Sequence, residues 1–433
     1  MATGLSIGLF VLLLFLLSLG IWVAPALIAI GYVLLEFFTP APVGSLLAST
    51  MWDASWNWAL TALPLFIWMG EILFRTRLSS DMFKGLSPML SRLPGGLLHV
   101  NVVGCGIMAA VAGSSAVTCA TIGRMSIPEL TKRKYDETLS IGSLAGSGTL
   151  GLLIPPSIML IVYGVLAQQS ISRLFIAGVL PGIMIILIFM SYISIRSIIN
   201  PSLAPKEKKR YTLYEKIIAG KHLFPVIGLI FCVLGSIYGG YATPTEAATI
   251  GVCGALLLAW ATKTLNWSSF KASLMGAVKT SCMINFIIVG AAFLSVAMGY
   301  TGIPKQLGQI VNQYELSQIS LLIILTFLYI FLGCFLEGTS MMVLTASVVL
   351  PMVQTAGIDL IWFGIYTVIV VEMAQITPPV GFNLFVLQGM TGRDILKITK
   401  AAMPFFFLMM LGIVILVIFP EIVTAPVQYM IQR

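Results

Sequence analysis

Charge is scarce in this chain. Asp, Glu, Lys and Arg make up 9% of its 433 residues, against 58% hydrophobic residues; soluble domains carry about 25% charge. So few charged groups cannot cover a water-facing surface, and lipid must be the solvent for much of the chain. Histidine is scarcer still, with His99 and His222 alone, which leaves no histidine cluster for metal or acid–base chemistry. The six cysteines (Cys105, Cys119, Cys232, Cys253, Cys282, Cys334) form no C-x-x-C pair and lie in apolar stretches, where buried free thiols are expected. No Ser-His-Asp set, Walker A loop or HExxH helix occurs. Neither catalysis nor ATP coupling has a foothold, and an enzyme is not expected.

Long apolar runs are plentiful. Met1 to Leu35 contains no charged residue; at about 1.5 Å per residue it far exceeds a hydrocarbon core of about 30 Å. Pro25 divides it into two spans. A basic n-region and an A-x-A site are both missing, so the first run reads as a helix rather than a signal peptide. The net charge is +8, but the basic residues sit in short loops between apolar runs. That placement marks topology, not nucleic-acid binding. Arg75, Arg77 and Lys84 follow a third span, Trp58 to Phe74. Lys132, Arg133 and Lys134 form a second basic zone, and Arg196, Lys206, Lys208, Lys209, Arg210, Lys216 and Lys221 a third. With these zones cytoplasmic, the N-terminus lies outside. The stretch Leu93 to Leu130 then enters and leaves from the cytoplasm, and spans follow at Thr138 to Ala167 and Leu174 to Ile195. Lys263, Lys271, Arg393, Lys397 and Lys400 mark the inside of the second half. Its re-entrant stretch is Ser317 to Gly357. The expectation is ten crossings plus two re-entrant hairpins, with Trp52, Trp56 and Trp58 as an interfacial belt.

The two halves echo one another. Gly20, Pro25 and Gly31 match Gly240, Pro244 and Gly251, and Gly70 matches Gly290, at offsets of 219–220. Gly113-Ser114-Ser115 matches Gly338-Thr339-Ser340 at 225. Pro128, Pro155-Pro156 and Pro181 match Pro351, Pro378-Pro379 and Pro404 at 223. Five crossings per half is an odd number, so the second copy is inverted. Inverted repeats are frequent in secondary transporters, where the site lies near the midplane between the copies.

Two pairs of interruptions occupy equivalent places. Small and hydroxylated residues in Ala112 to Thr118 and Leu336 to Met341 suit hairpin tips. Gly146-Ser-Gly-Thr-Leu-Gly151 with Ile154-Pro155-Pro156, and Gln375-Ile-Thr-Pro-Pro-Val-Gly381-Phe-Asn383, suit broken helices, because paired prolines remove two donors and disfavour helix before them. Broken backbone in a membrane is tolerated where it is buried in protein or lines an aqueous cavity. Freed carbonyls and hydroxyls suit Na⁺, and half-helix N-termini suit a carboxylate. For any single Gly or Ser, close packing is the plainer reading; the paired constellation favours sites. Among the intramembrane acids Glu71, Glu246, Glu337 and Glu372, Glu246 follows Thr243-Pro244 and reads as a helix cap. Glu337 and Glu372 abut the second tip and second break. Arg124 lies near the first tip, where it either holds an anion or snorkels to the cytoplasmic face.

These motifs carry a resemblance. Ala242-Thr-Pro-Thr-Glu-Ala-Ala248, Gly148-Thr-Leu-Gly-Leu-Leu-Ile-Pro-Pro-Ser157, Glu337-Gly-Thr-Ser340 and Ile376-Thr-Pro-Pro-Val-Gly-Phe-Asn-Leu-Phe385 resemble the DctM-like large membrane subunit of tripartite ATP-independent periplasmic (TRAP) transporters, nearly end to end. Where Glu337 stands, Asp is frequent in that family. The resemblance implies an all-α polytopic fold with two inverted repeats and an elevator mechanism. It implies symport of two or more Na⁺, held at Gly113, Ser114, Ser115 and Gly148 in one half and Gly338, Thr339, Ser340 and Thr377 in the other. Ser115, Arg124, Ser340, Pro378 and Asn383 are the candidates for an organic acid such as a C4-dicarboxylate or sialic acid. Implied partners are a small four-helix membrane subunit (DctQ-like) and a periplasmic binding protein (DctP-like), in a bacterial inner membrane with both termini periplasmic. The expected division is 1–92 scaffold, 93–200 first hairpin, broken helix and span, 201–221 basic linker, 222–316 scaffold, and 317–433 second hairpin, broken helix and span. A self-sufficient Na⁺/dicarboxylate carrier and a channel are the alternatives.

Overall fold

The computed structural model describes residues 2–76, 78–205, 211–303, 306, 309, 313, 316–333, 335–378 and 381–431. Arg77, Lys206, Lys208, Lys209, Arg210, Cys334 and Pro379, all used above, lie outside the described residues. Among the described residues the regular structure is entirely helical. An apolar medium demands this, because no water is present to satisfy stray amides and carbonyls.

The first half holds α1 (Ala2–Ser18), α2 (Val23–Phe38), α3 (Val43–Ser55), α4 (Ala62–Phe74), α5 (Leu78–Leu90), α6 (Leu98–Ala112), α7 (Ser115–Lys132), α8 (Glu137–Gly148), α9 (Ile158–Leu166) and α10 (Ile171–Ile199). The second holds α11 (Leu213–Gly220), α12 (Phe224–Tyr238), α13 (Pro244–Ala261), α14 (Trp267–Thr301), α15 (Gln318–Gly333), α16 (Gly338–Thr355), α17 (Leu360–Ala374), α18 (Phe382–Thr391), α19 (Ile395–Ile418) and α20 (Glu421–Ile431). α3 bends by 53° into the Trp58–Phe74 stretch, and α11 by 56° into α12. The first bend falls at Asn57, whose side chain accepts from the Ala59 amide at 3.0 Å and caps the new turn.

Among the described residues α10, α13, α14, α16 and α19 are long and apolar enough to cross a membrane, or seven spans if each bent pair counts as one. Fewer single helices pass that test than the ten crossings expected from sequence. The stretch read as a span at Thr138 to Ala167 is divided between α8 and α9, and its counterpart between α17 and α18. α16 passes on length although the sequence assigns it to a returning hairpin arm.

α14, 35 residues and so about 52 Å long, is the spine of the molecule. It packs along α2, α3 and α4 and reaches α16. Glycines set these approaches: a Cβ on Gly290 would lie 2.9 Å from the Ala24 carbonyl, the close backbone contact that small residues allow between membrane helices. α8 lies against α6, α7 and α19. Phe405 of α19 fills the space at Gly146 and meets Phe189 of α10 edge-on, centroids 5.2 Å apart.

Three sequence expectations are decided locally. Glu246 caps α13: its carboxylate accepts from the Thr243 amide at 2.7 Å while the Thr243 hydroxyl accepts from the Glu246 amide. Trp52, Trp56 and Trp58 are all exposed, with Trp52 and Trp56 stacked. The cysteines need correction. Cys105 and Cys119 are buried, but Cys232, Cys253 and Cys282 are exposed, because on a lipid-facing helix an apolar run does not distinguish core from outer surface.

Candidate cation and substrate site at the hairpin tips

The first tip joins α6 to α7 in two residues. Gly113 takes the left-handed conformation at φ 58°, and Ser114 is extended at φ −145°. A residue with a Cβ is disfavoured at the first of these. Gly151, in the 3-10 turn Thr149–Leu152 that ends α8, approaches this tip closely. A Cβ there would lie 2.5 Å from the Ser115 Cα and 2.6 Å from its amide nitrogen. The first broken helix thus supports the tip backbone directly. The break itself runs from Leu153 to Ser157 and includes the cis Pro155–Pro156 bond. Ser157 restarts the helix, its hydroxyl accepting from the Leu160 amide and donating to the Leu152 carbonyl.

The second tip is built differently. Glu337 caps α16, its carboxylate accepting from the Ser340 amide at 3.3 Å, the Thr339 hydroxyl at 3.2 Å and the Ser340 hydroxyl at 3.5 Å. Gly338 sits under Val371 of α17, whose Cγ1 would be 2.9 Å from an added Cβ. The second break spans the residues between α17 and α18. At its described residues the Gly381 amide donates to the Thr377 carbonyl at 3.0 Å, and the Thr377 hydroxyl donates to the Ala374 carbonyl at 2.7 Å.

The two tips meet. A cavity of about 90 Å³ is lined by Gly113, Ser114 and Ser115 from the first tip and Glu337, Gly338 and Thr339 from the second. Gln375 and Asn383 face it from either side of the second break, Leu152 and Ile158 from the first. Thr280, Met283 and Ile284 of α14 close the remaining wall. Ser115 donates a hydrogen bond to Glu372 of α17, 257 residues away, and Glu372 is fully buried. The Leu152 main chain also faces that carboxyl, and Glu337 is the second acid in its field.

Of the residues nominated from sequence, Gly113, Ser114, Ser115, Gly338, Thr339 and Asn383 come together at the cavity. Ser340 and Thr377 are buried and close in sequence to the cavity-lining Thr339 and Gln375, but do not line the cavity themselves. Gly148 packs against Cys119, a Cβ there falling 2.9 Å from the cysteine Cβ, and does not line it. Pro378 is exposed. Arg124 is also exposed, its guanidinium 6.0 Å from the Phe74 ring centre, and it is not part of the cavity lining. Sequence reasoning missed Thr280; the polar run Lys279-Thr280-Ser281 inside an apolar helix was its signal. It also missed the pairing of Glu372 with Ser115, for which no chain-local signal exists.

The lining fits a small hard cation. Its donors are hydroxyl, amide, carboxylate and main-chain oxygens, the ligand class that hard ions take. Asn383 is fully buried with both side-chain polar atoms unpartnered, although buried polar groups are nearly always satisfied. Among the described residues no three of His, Cys, Asp and Glu gather as a transition-metal site.

Comparison with known proteins bears on the family and the fold. The family model "Tripartite ATP-independent periplasmic transporter, DctM component" matches residues 10–422. The C4-dicarboxylate TRAP transporter large permease protein DctM of Pseudomonas aeruginosa is 30% identical, over 90% of this chain and 91% of its own. Its Vibrio cholerae namesake is also 30% identical, over 96% of both. The isethionate TRAP transporter permease protein DctMQ of Oleidesulfovibrio alaskensis is 31% identical, over 91% of this chain and 63% of its own. Among solved structures, the YdaH transporter of Alcanivorax borkumensis superposes with a TM-score of 0.62 at 13% identity, over 88% of this chain and 89% of its own, which is a likeness of fold.

Proposed function

The chain belongs to the DctM component family of tripartite ATP-independent periplasmic transporters, a multi-pass membrane permease subunit, and from that premise we propose that it carries an organic acid into the cell by Na⁺ symport. The observation that carries this reading is the cavity where both tips, both breaks and α14 converge. Gly113, Ser114, Ser115, Gly338, Thr339 and Asn383 hold Na⁺ or the acid there, with Ser340 and Thr377 close to the lining residues in sequence. Arg124 and Gly148 take no direct part.

We infer that the two halves are inverted copies. Matched positions share rare backbone conformations: Gly20 and Gly240 (φ 78° and 72°), Lys134 and Gly357 (60° and 70°), Gln168 and Gly392 (53° and 65°). Asp136 and Asp359, 223 residues apart, cap α8 and α17 alike, accepting from the Leu139 and Trp362 amides at 2.7 and 2.8 Å. Two inverted copies can exchange conformations, which makes alternating access possible. The transport unit comprises the two hairpins with α8–α10 and α17–α19, and slides as an elevator against a scaffold of α1–α4 and α12–α14. Glu137 of α8 pairs with Arg393 and Lys397, which supports placing the start of α8 and the α18–α19 link on one face, the cytoplasmic one. Both termini are then periplasmic, in the inner membrane.

The cargo is a small carboxylate or related acid delivered by a periplasmic binding protein, with a small four-helix subunit completing the membrane complex. Relatives named for C4-dicarboxylate and for isethionate stand at 30% and 31% identity, so overall similarity does not choose between them. The test is reconstitution in proteoliposomes. Uptake should require this chain, the small subunit, the binding protein and an inward Na⁺ gradient together. Robust uptake by this chain alone would overturn the tripartite reading, and uptake indifferent to Na⁺ the symport reading.

A further inference from the structure

We propose that Glu372 is a positioning residue for cation binding: it takes the Ser115 hydroxyl proton from across the two halves, so that the lone pairs of that hydroxyl face the cavity between the tips. The proposal rests on the Na⁺ reading above and deepens it, naming a residue that reading does not use.

A serine hydroxyl has one proton and two lone pairs. It ligates a cation through a lone pair, so its proton must be directed elsewhere. Several other buried hydroxyls here give the proton to a carbonyl three or four residues back along the chain. Ser143 donates to Ser140, Thr345 to Met341 and Thr377 to Ala374, at 2.7–3.0 Å. Ser115 is the first residue of α7 and has no preceding helical turn to receive its proton. It needs a remote acceptor, and Glu372 is the one its hydroxyl reaches.

The carboxyl is otherwise hard to explain. Glu372 is 0% exposed, three residues ahead of the second break, and among the described residues no cationic side chain pairs with it. A buried acid without a cation is costly, so packing alone does not account for it. Glu337 gives an internal parallel: it receives the Thr339 and Ser340 hydroxyls at the second tip. Both tips therefore orient their hydroxyls on a carboxylate. In one the acid is adjacent in sequence; in the other it comes from the opposite half.

The experiment is Na⁺-induced thermal stabilisation of the purified subunit, titrated without substrate, with Ser115→Ala, Glu372→Leu, Glu372→Gln and the double variants. Glu372→Leu should raise the half-saturating Na⁺ concentration by about tenfold, the loss expected when a buried hydroxyl loses its acceptor. Glu372→Gln, which keeps a carbonyl acceptor, should raise it by about threefold. With Ser115→Ala already present, either change should add little, because the two residues act as one unit. A titration unchanged in Glu372→Leu, or effects that add independently, would overturn the proposal. If Glu372→Leu does not fold, Glu372→Gln in the two Ser115 backgrounds decides by the same rule. Wild-type protein with no Na⁺ stabilisation would overturn this proposal and the symport reading together; stabilisation whose half-saturating Na⁺ concentration is the same in Glu372→Leu as in wild type overturns this one alone.

Discussion

The first hairpin tip carries no acid, and the second begins with one. Otherwise the tips are counterparts: each joins two helices, each ends in small and hydroxylated residues, and each faces the same cavity. The first relies on a left-handed Gly113 and on the backbone of Gly151 beneath it. The second relies on a side chain, Glu337, capping its own helix. What the two tips share is a carboxyl group that receives their hydroxyls, and not the residue that supplies it. At the first tip that carboxyl comes from the second half of the chain.

The difference predicts unequal tolerance to an added methyl group. In Gly151→Ala the new Cβ meets the Ser114 and Ser115 backbone, at 2.5–2.7 Å, and backbone cannot rotate away. In Gly338→Ala it meets the end of the Val371 side chain at 2.9 Å, which can give way. Gly151→Ala should lower uptake by about 100-fold, the size of effect that ångström-scale misplacement produces at a site. Gly338→Ala should lower it by less than about tenfold. Initial uptake rates at matched membrane expression check this, and equal losses would break the distinction between a backbone-supported and a side-chain-supported tip.

A finer contrast lies within the second tip. Thr339 lines the cavity and Ser340 does not, while the Ser340 hydroxyl makes only a 3.5 Å contact with Glu337. Thr339→Val should raise the half-saturating Na⁺ concentration by about three- to tenfold, and Ser340→Ala by less than about twofold. The reverse order would move the second cation position one residue along the helix and away from the cavity.

How much of this was legible in the sequence follows from range. The breaks and tips are written in glycine, serine and proline, which act on their own stretch of backbone; they lie where those residues put them. The acid at the second tip was legible for the same reason, being next to Gly338. The acid at the first tip was not, because Ser115 and Glu372 are joined by the packing of α7 against the second half and by nothing along the chain. Arg124 was misleading for a related reason. It is nine residues from Ser115 in sequence, but at 1.5 Å per residue that separates them by about 14 Å along α7, and its side chain is exposed. The outward-facing cysteines show the same limit in composition: lipid accepts the residues that a core accepts.

The mildest test concerns the ion pairs that join the two halves at the opposite end of α8. Glu137 meets Arg393 at 2.5 Å and Lys397 at 3.1 Å. Partial burial raises its carboxyl, and the hydrogen bonds from Lys397 and Arg393 outweigh that effect, holding it below the usual 4.5. A lowered carboxylate contributes stability that is present above its unfolded value and lost as pH falls through the folded one. The contribution therefore disappears below about pH 4.5 and is complete at neutral pH. Its side chain is 42% exposed, so solvent screening holds the pair to about 0.2–1 kcal/mol. Glu137→Gln should lower the melting temperature by only one or two degrees at pH 7 and low salt, by less in about 0.5 M salt, and by progressively less as pH falls below about 4.5. A loss of uptake far exceeding that small destabilisation would mean that the pairs do more than brace the halves, and that the link between α18 and α19, like the first tip, works through contacts between the two halves of the chain.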